Sequence, residues 1–240
     1  MKQKHQILGV YHLACMNHYM NTFCEQFELL HSSGLYQASN KLLIYISMND
    51  NNTMLNAKLK EYDPKNKFKI FRSKDNLKEK FAINNFRDYI KDEDYIFYFH
   101  SKGVSHPVDS NLQHWRKVLD FYTLSKWKIN VELIKKYDAV GCFLARWPEH
   151  HFCGNFWWSR VDYIKKLPDC DDHYIAPEMF LAPGFNNNFV SLSNDRRNMY
   201  HTDGHLTRTN EDILKNVTRS IINNEQFTNT EYYIKYYGSK

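Results

Sequence analysis

The stretch YIFYFHSKG, residues 95–103, decides how this sequence folds. It begins with five apolar or aromatic residues, 95–99, and then changes at once to the polar segment HSKG, residues 100–103. A continuous apolar run of this kind is typical of a strand that is buried on both faces, as in a parallel sheet. The stretch therefore predicts a buried strand that delivers a histidine, a cation and a flexible turn to the edge of a sheet.

The sequence before this strand alternates between apolar runs and segments with helical spacing. The predicted strands lie at 6–14, 41–48 and 67–73, and the predicted helices lie at 17–34, 53–62 and 75–91. In the first of these helices, Asn17 suits the N-cap and Gly34 suits the stop. This alternation predicts an α/β fold with a mainly parallel sheet covered by helices on both faces.

The sequence after residue 103 continues the same pattern. We predict a helix through 109–137, strands at 138–145 and 150–160, a short helix at 161–167, a helix that begins at 176 and a helix at 210–224. No internal repeat or linker divides the chain. We therefore expect a single Rossmann-like domain over residues 1–240, with 206–240 as a C-terminal helical tail.

The composition narrows the classes of function. A net charge of +5 on 240 residues is small and dispersed, which admits an anionic ligand but gives no reason to expect nucleic acid. The five cysteines show no C-x-x-C spacing, so we expect reduced thiols rather than a disulfide framework or a zinc ribbon. No apolar run approaches the roughly 18 to 20 residues that cross a bilayer. We expect a cytoplasmic protein without a transmembrane segment.

The polar residues after the first and fourth strands are the first candidate site. In open parallel sheets, ligands bind outside the carboxyl ends of the strands, so residues 12–17 and 100–103 should face the same crevice. Lys102 can meet a phosphate as a point charge, and Gly103 allows close approach of the backbone. The alternative is a solvated loop lysine beside a histidine, His100, that bonds only to the backbone.

The segment GNFWWSR, residues 154–160, is the second candidate. Tryptophan rings stack on the apolar faces of sugars, and Asn155 can donate to and accept from hydroxyl groups. Because neighbouring strand residues point to opposite faces, only one of Trp157 and Trp158 can line a given pocket. The alternative is that both tryptophans pack in the core.

Two acidic or histidine-rich segments are further candidates. Glu178 lies in the otherwise apolar segment APEMFL, where burial would raise its pKa towards a value that suits proton abstraction. The alternative role for Glu178 is a partner of the helix dipole. The segment HTDGH offers His201, Asp203 and His205 as weak metal ligands, although a turn around the Asp-Gly pair explains it equally well.

Several segments together resemble a group of small GT-A-type glycosyltransferase-like proteins, many of them encoded by large DNA viruses and bacteria. They are VYHLACMNHYM, SGLY, YFHSKGVSH, HWRKVLDFYTLSKW, HFCGNFWWSRVDYIKKLP and PEMFL. The resemblance covers most of residues 6–185. It implies a GT-A-like domain in which about 1–105 bind a nucleotide sugar, a UDP-sugar above all, and about 106–205 bind a glycan, lipid or protein acceptor. In a viral protein the cytoplasm would be that of the host.

The resemblance also implies roles for individual residues. Glu178 would take the place of the acidic residue near the acceptor hydroxyl, and Asn155 with Trp157 or Trp158 would hold sugar. The residues that would contact the donor are His12, Asn17, His100, Lys102 and Gly103, with Arg116 assisting at the phosphates.

The metal is the point at which this sequence departs from the family pattern. Most GT-A enzymes end the fourth strand in Asp-x-Asp, which holds Mn²⁺ or Mg²⁺ on the diphosphate, whereas this chain has His-Ser-Lys at 100–102. Three alternatives stay open. In the first, Lys102, helped by Arg116 or Lys117, supplies the positive charge in place of the metal ion. In the second, His201 and His205 recruit a metal ion. In the third, the protein still binds the donor but no longer transfers the sugar.

The sequence thus leads to a main hypothesis and two alternatives. The main hypothesis is a glycosyltransferase that moves a sugar from a nucleotide diphosphate to a hydroxyl acceptor. The first alternative is a non-catalytic module that binds a nucleotide sugar or a glycan through a degenerate site. The second is a metal hydrolase acting on phosphoesters through His201, Asp203 and His205.

Overall fold

A sheet of seven strands forms the centre of the protein in the computed structural model, which describes residues 5–49, 52–108, 110–145, 150–171, 173–181 and 187–193. The strands of this sheet are β1 (Ile7–Ala14), β2 (Lys41–Ser47), β3 (Phe68–Arg72), β4 (Tyr95–His100), β5 (Ala139–Gly141), β8 (Trp157–Arg160) and β9 (Phe189–Ser191). Strands β6 (Leu144–Ala145) and β7 (His151–Phe152) form a separate antiparallel ribbon.

Helices connect most of the strands. They are α1 (Tyr19–Ser32), α2 (Leu35–Ala38), α3 (Thr53–Glu61), α4 (Lys80–Ile83), α5 (Ser110–Asp120), α6 (Trp127–Ile134), α7 (Val161–Ile164) and α8 (Ala176–Met179). A 3₁₀ turn at Phe86–Tyr89 follows α4, and a π-helical segment at Phe121–Ser125 joins α5 to α6. Among the described residues, none of the helices combines the length and the apolar character needed to span a lipid bilayer.

The strand order places a topological switch between β1 and β4. The sheet runs β3-β2-β1-β4-β8-β5-β9, so the chain first moves from β1 to one side of the sheet and then returns to the other side of β1. Strands β1 to β4 are parallel, whereas β8 runs antiparallel to both β4 and β5. The predicted mainly parallel α/β sheet is confirmed, and ligands of such sheets bind at this kind of switch point.

Both faces of the sheet are covered, as predicted. On one face, residues of β1, β4 and β8 pack with residues of α1, α3, α5 and α6. On the other face, they pack with residues of α4, α7 and α8. Trp158 belongs to the first cluster and Trp157 to the second, which confirms that these neighbouring residues point to opposite faces.

The structure corrects several predicted boundaries. The helix predicted at 75–91 reduces to α4 and one 3₁₀ turn. The strand predicted at 138–145 ends at Gly141 and bends at Phe143, which has a positive φ of 55°. The strand predicted at 150–160 is divided into β7 and β8 by a turn at Gly154 and Asn155, whose φ values are 91° and 56°. Apolar content does not reveal such turns, because these segments remain buried through the bend.

Candidate active site at the ends of β1 and β4

The carboxyl ends of β1 and β4 are joined side by side. His12 and His100 are partners in the register of the two strands. Just beyond them, the Ser101 amide donates to the His12 carbonyl at 3.0 Å, and the Ala14 amide donates to the Ser101 hydroxyl at 2.9 Å. The sequence therefore correctly predicted that the segments after these two strands lie at one edge.

Asn17 ties the loop after β1 to the loop after β4. Its side-chain amide donates to the Val104 carbonyl at 2.8 Å and to the His106 carbonyl at 3.2 Å. Its φ of 41° is left-handed, a conformation that asparagine tolerates better than most residues. Asn17 is therefore not the N-cap of α1, a position that His18 occupies.

Lys102 lies in the turn after β4, close to Trp115 and Gly154. Its Nζ lies 3.9 Å from the centroid of the Trp115 ring on α5, a cation–π arrangement. A Cβ added to Gly154 would lie 3.4 Å from the Lys102 Cε. Gly103, with a φ of 87°, provides the turn that follows. Within the described part of the chain, Lys102 forms no direct ion pair, and its positive charge acts to lower the pKa of Glu79.

His12 is a buried neutral histidine. His12 is only 3% exposed, and its Nε2 lies 3.0 Å from the Ser47 hydroxyl on β2. Burial, followed by the influence of His100, lowers its pKa from 6.5 to about 3. His12 thus links the ends of β1 and β2 without carrying charge at neutral pH.

His100 makes two directional contacts. Its Nε2 donates to the Gly154 carbonyl at 2.9 Å, and its Nδ1 lies 3.3 Å from Oε1 of Glu79. Burial and then the Lys102 charge lower the pKa of His100 to about 3, while the field of Glu178 acts to raise it.

Glu79 is a site residue that the sequence analysis missed. It precedes α4, and its Oε2 accepts from the Asn155 side-chain amide at 2.5 Å and from the Tyr98 hydroxyl at 3.4 Å. Burial raises its pKa, although Asn155 and Lys102 act in the opposite direction. Its segment, DNLKEK, is polar except for Leu77, so no pattern in the sequence singles out this carboxylate from its neighbours.

The residues predicted to hold a sugar lie inside the protein. Asn155 uses its amide nitrogen on Glu79 and accepts from the Trp157 indole at 2.9 Å. Trp158 donates its indole N–H to the Thr123 carbonyl at 2.9 Å. Trp157 and Trp158 are 1% and 0% exposed, so in this conformation neither ring offers a face to a ligand. The structure therefore places Asn155 beside Glu79 as a buried residue and leaves both tryptophans in the core.

The structure does not bring Arg116 to the edge with Lys102. Arg116 is 2% exposed, donates to the Thr22 hydroxyl at 2.5 Å and forms ion pairs with Glu25 and Asp120. Burial raises the pKa of Asp120 to about 7, although Arg116 acts to lower it. This cluster joins α1 to α5 and directs the guanidinium inwards.

The described residues do not form a metal site. No group of three or more His, Cys, Asp or Glu side chains with the arrangement of a metal centre occurs among them. The side chains near the end of β4 that could act as ligands, Glu79 and His100, are engaged with each other. His201, Asp203 and His205 lie outside the described residues. We therefore derive no chemical step through a metal ion.

The fold and this edge define an α/β protein with a candidate ligand site at the switch between β1 and β4. Residues 11–225 match the model of the family described as "Domain of unknown function (DUF8361)", and the chain belongs to that family. No curated protein matches the chain.

Several solved structures resemble this chain at low sequence identity. HddC from Yersinia pseudotuberculosis has a TM-score of 0.48 at 12% identity, covering 78% of this chain and 89% of its own. 4-Diphosphocytidyl-2C-methyl-D-erythritol synthase from Anaerococcus prevotii has a TM-score of 0.43 at 9% identity, and the match covers 90% of this chain and 96% of the synthase. The first 349 residues of TarS from S. aureus have a TM-score of 0.43 at 8% identity, and the match covers 94% of this chain and 74% of that structure.

Proposed function

We propose that this protein is a glycosyltransferase that transfers a sugar from a nucleotide diphosphate donor to a hydroxyl group of a glycan, lipid or protein acceptor. The observation that carries the proposal is the position of Lys102. It follows the strand end at the topological switch, where open α/β sheets bind their ligands. Its ammonium group is followed by the turn at Gly103, and a cation next to a glycine turn suits the binding of a diphosphate.

The donor would lie along the edge formed by the ends of β1 and β4. The Lys102 ammonium would face the diphosphate, and the turn at Gly103 would let the phosphates approach the backbone. His12 and Asn17 would shape this edge, because they fix β1 against β2 and against the loop after β4. A UDP-sugar is the donor that the sequence resemblance favours.

The transfer would divide the chemical work between Lys102 and Glu178. The acceptor oxygen attacks the anomeric carbon while the bond from that carbon to the phosphate oxygen breaks. The acceptor proton passes to the Glu178 carboxylate if the reaction inverts the configuration. Lys102 stabilises the negative charge that develops on the departing nucleoside diphosphate, which is the part a metal ion plays in enzymes with Asp-x-Asp.

The test is release of nucleoside diphosphate from a panel of nucleotide sugars, measured with Mn²⁺ and then with a chelator. We expect release that survives chelation and falls at least tenfold in Lys102→Ala and Glu178→Ala, with both variants folded as judged by their unfolding midpoints. Unchanged release in Lys102→Ala would remove Lys102 from the site.

A second candidate is a binding module without transferase activity. The observation that favours it is the engagement of Asn155, Trp157 and Trp158 in internal hydrogen bonds and packing, which leaves these three residues without a face for a sugar acceptor. This candidate predicts measurable nucleotide binding with no release from any donor, even when glycan, lipid and protein acceptors are supplied.

A further inference from the structure

We propose that Glu79 is the positioning residue of this edge: its carboxyl holds the one proton of a Glu79–His100 pair and fixes the Gly154–Asn155 turn beside Lys102. The hydrogen bonds around the pair determine where the proton must lie. The consequence drawn for Lys102 rests on the proposed function, whereas the proton arrangement does not.

The first step is the orientation of Asn155. The indole N–H of Trp157 can only donate, and it lies 2.9 Å from the Asn155 Oδ1. The other end of that side chain is therefore the NH₂ group, which donates to Oε2 of Glu79 at 2.5 Å. Oε2 also accepts from the Tyr98 hydroxyl at 3.4 Å, so this oxygen acts as an acceptor.

The second step is the tautomer of His100. The Gly154 carbonyl can only accept, so the Nε2 of His100 carries a hydrogen. The Nδ1 of a neutral ring would then be an acceptor, and it lies 3.3 Å from Oε1 of Glu79. Two acceptors do not attract each other at this distance, so one proton must lie between Nδ1 and Oε1. The pair is either a carboxylic acid with a neutral imidazole or a carboxylate with an imidazolium.

The surroundings favour the neutral form. The His100 ring lies 4.9 Å from the Phe156 ring and is only 7% exposed, and charge separation in such surroundings is costly. The ammonium of Lys102 disfavours an imidazolium, and although it also favours a carboxylate, as the Asn155 and Tyr98 hydrogen bonds do, burial outweighs these effects and raises the pKa of the Glu79 carboxyl. The other titratable groups near the pair are Glu178, which favours the imidazolium, and His12 and Tyr98, which burial keeps neutral.

The third step connects the pair to Lys102. Glu79 holds both residues of the Gly154–Asn155 turn, Asn155 directly and Gly154 through His100. The turn has left-handed backbone at both positions, which glycine and asparagine tolerate, and the contacts with Glu79 and His100 fix it in this conformation. Gly154 in turn packs against the Lys102 stem and the Trp115 ring. Because the pair has no net charge, it leaves the positive charge of Lys102 available to an anion.

The test compares Glu79→Gln with Glu79→Ala. Glutamine reproduces the hydrogen bonds of the neutral acid, since its NH₂ can donate to His100 and its carbonyl can accept from Asn155. Alanine leaves both partners without a contact. At pH 7 we expect Glu79→Gln to unfold at the urea midpoint of the wild type and Glu79→Ala to unfold at a lower one. Equal loss in both variants would show that glutamine does not reproduce the contacts of Glu79 and would overturn the proposal.

The ring nitrogens of His100 give an independent reading. In protein labelled with ¹⁵N-histidine and assigned with His100→Gln, we expect a protonated Nε2 and an unprotonated Nδ1 at pH 7. Two protonated nitrogens would contradict the neutral pair. Neither this spectrum nor the unfolding midpoints requires a ligand, so both decide on Glu79 even if the chain is not a transferase.

Inorganic pyrophosphate tests the consequence for Lys102. We expect Glu79→Gln to bind it within about twofold of the wild type at pH 7, and Glu79→Ala to bind it at least fivefold more weakly because the turn has lost its support. Binding at least tenfold tighter in Glu79→Gln would show a negative charge on Glu79 and overturn the proposal. No binding by the wild type would count against the donor site of the proposed function and would leave the proton arrangement to the two ligand-free measurements.

Discussion

Lys102 is oriented by its neighbours rather than by an ion pair, and this arrangement separates its packing from its charge. Its Nζ lies over the Trp115 ring, and its Cε lies close to Gly154. Methionine has a similar length and fills the same space without the ammonium group. We therefore expect Lys102→Met to retain the unfolding midpoint of the wild type while donor turnover falls at least tenfold.

Lys69 provides the matched control for this substitution. Its Nζ also lies over an aromatic ring, 3.8 Å from the centroid of Tyr89, but on β3 at the far side of the sheet. Lys69→Met should leave donor turnover within twofold of the wild type. If both methionine variants lose turnover equally, the Lys102 charge has no special part in the reaction.

Gly154 combines a left-handed backbone with a lack of space. An added Cβ would lie 2.7 Å from Leu119 Cδ1, and its φ is 91°. We expect Gly154→Ala to destabilise the protein by about 2–4 kcal/mol, from strain of about 1–3 kcal/mol plus the clash, and to lower turnover by displacing Lys102. Gly34→Ala is the control, because Gly34 has a similar φ of 79° but nothing within 4 Å. Equal unfolding midpoints for the two variants would exclude a contribution from the clash.

The sequence predicted some of the individual residues at the ends of β1 and β4 and missed others. Lys102, Gly103 and His100 could be recognised because they interrupt an apolar strand at a known position. Glu79 could not, because its partners, His100 and Asn155, lie 21 and 76 residues away in the chain. The two tryptophans could not be assigned to a pocket either, since apolar residues of a buried strand and of a binding surface look alike in sequence.

Helices α1 and α5 are joined by a buried charged cluster. The Arg116 guanidinium contacts Thr22 and Glu25 on α1 and Asp120 on its own helix, and Gln26 donates to Asp120 at 2.8 Å. Removal of one partner of a buried ion pair typically costs about 3–5 kcal/mol. We expect Arg116→Leu to lose stability of this order, and to lose more at pH 8 than at pH 6, where Asp120 takes up a proton.

The double variant Arg116→Leu with Asp120→Leu checks this explanation. It removes both buried charges and leaves Glu25, which is 48% exposed, to the solvent. We expect it to recover most of the stability that Arg116→Leu loses in urea denaturation. A double variant as unstable as the single one would mean that packing of the Arg116 stem, rather than its charge, holds the two helices together.

The elements themselves were largely predictable up to β4. Strands β1, β2, β3 and β4 and helices α1 and α3 lie where apolar runs and helical spacing placed them. Beyond β4 the chain uses strands of two to four residues and left-handed turns, and β9 was not predicted at all. Segments this short contain too few residues for a period to be recognised.

The pH dependence of stability is a property of the whole molecule, because buried groups act in opposite directions. His12 and His100 take up protons below pH 6.5 when unfolded but only near pH 3 when folded, which lowers stability as the pH falls. Asp120 takes up a proton near pH 7 when folded but near 3.8 when unfolded, which raises stability as the pH falls. Glu79, with a raised pKa, acts in the same direction as Asp120.

These opposing effects predict that stability falls as the pH falls, but less steeply than the two histidines alone would make it fall. Between about pH 6.5 and 3.8 the proton that Asp120 takes up in the folded state offsets part of the histidine effect. In Asp120→Asn the free energy of unfolding should therefore fall more steeply over this range than in the wild type. Urea midpoints measured across pH 3.5 to 7.5 check this, and the same slope in both proteins would contradict it.

Amide chemical shifts can locate the donor, which we propose to bind where β1 and β4 end. A uniformly ¹⁵N-labelled protein would be titrated with nucleoside diphosphates, UDP first, alongside Lys102→Met. We expect the largest shifts on residues 12–17 and 101–106, and we expect them to diminish in the variant. Shifts confined to other parts of the chain, with no change in Lys102→Met, would contradict this proposal.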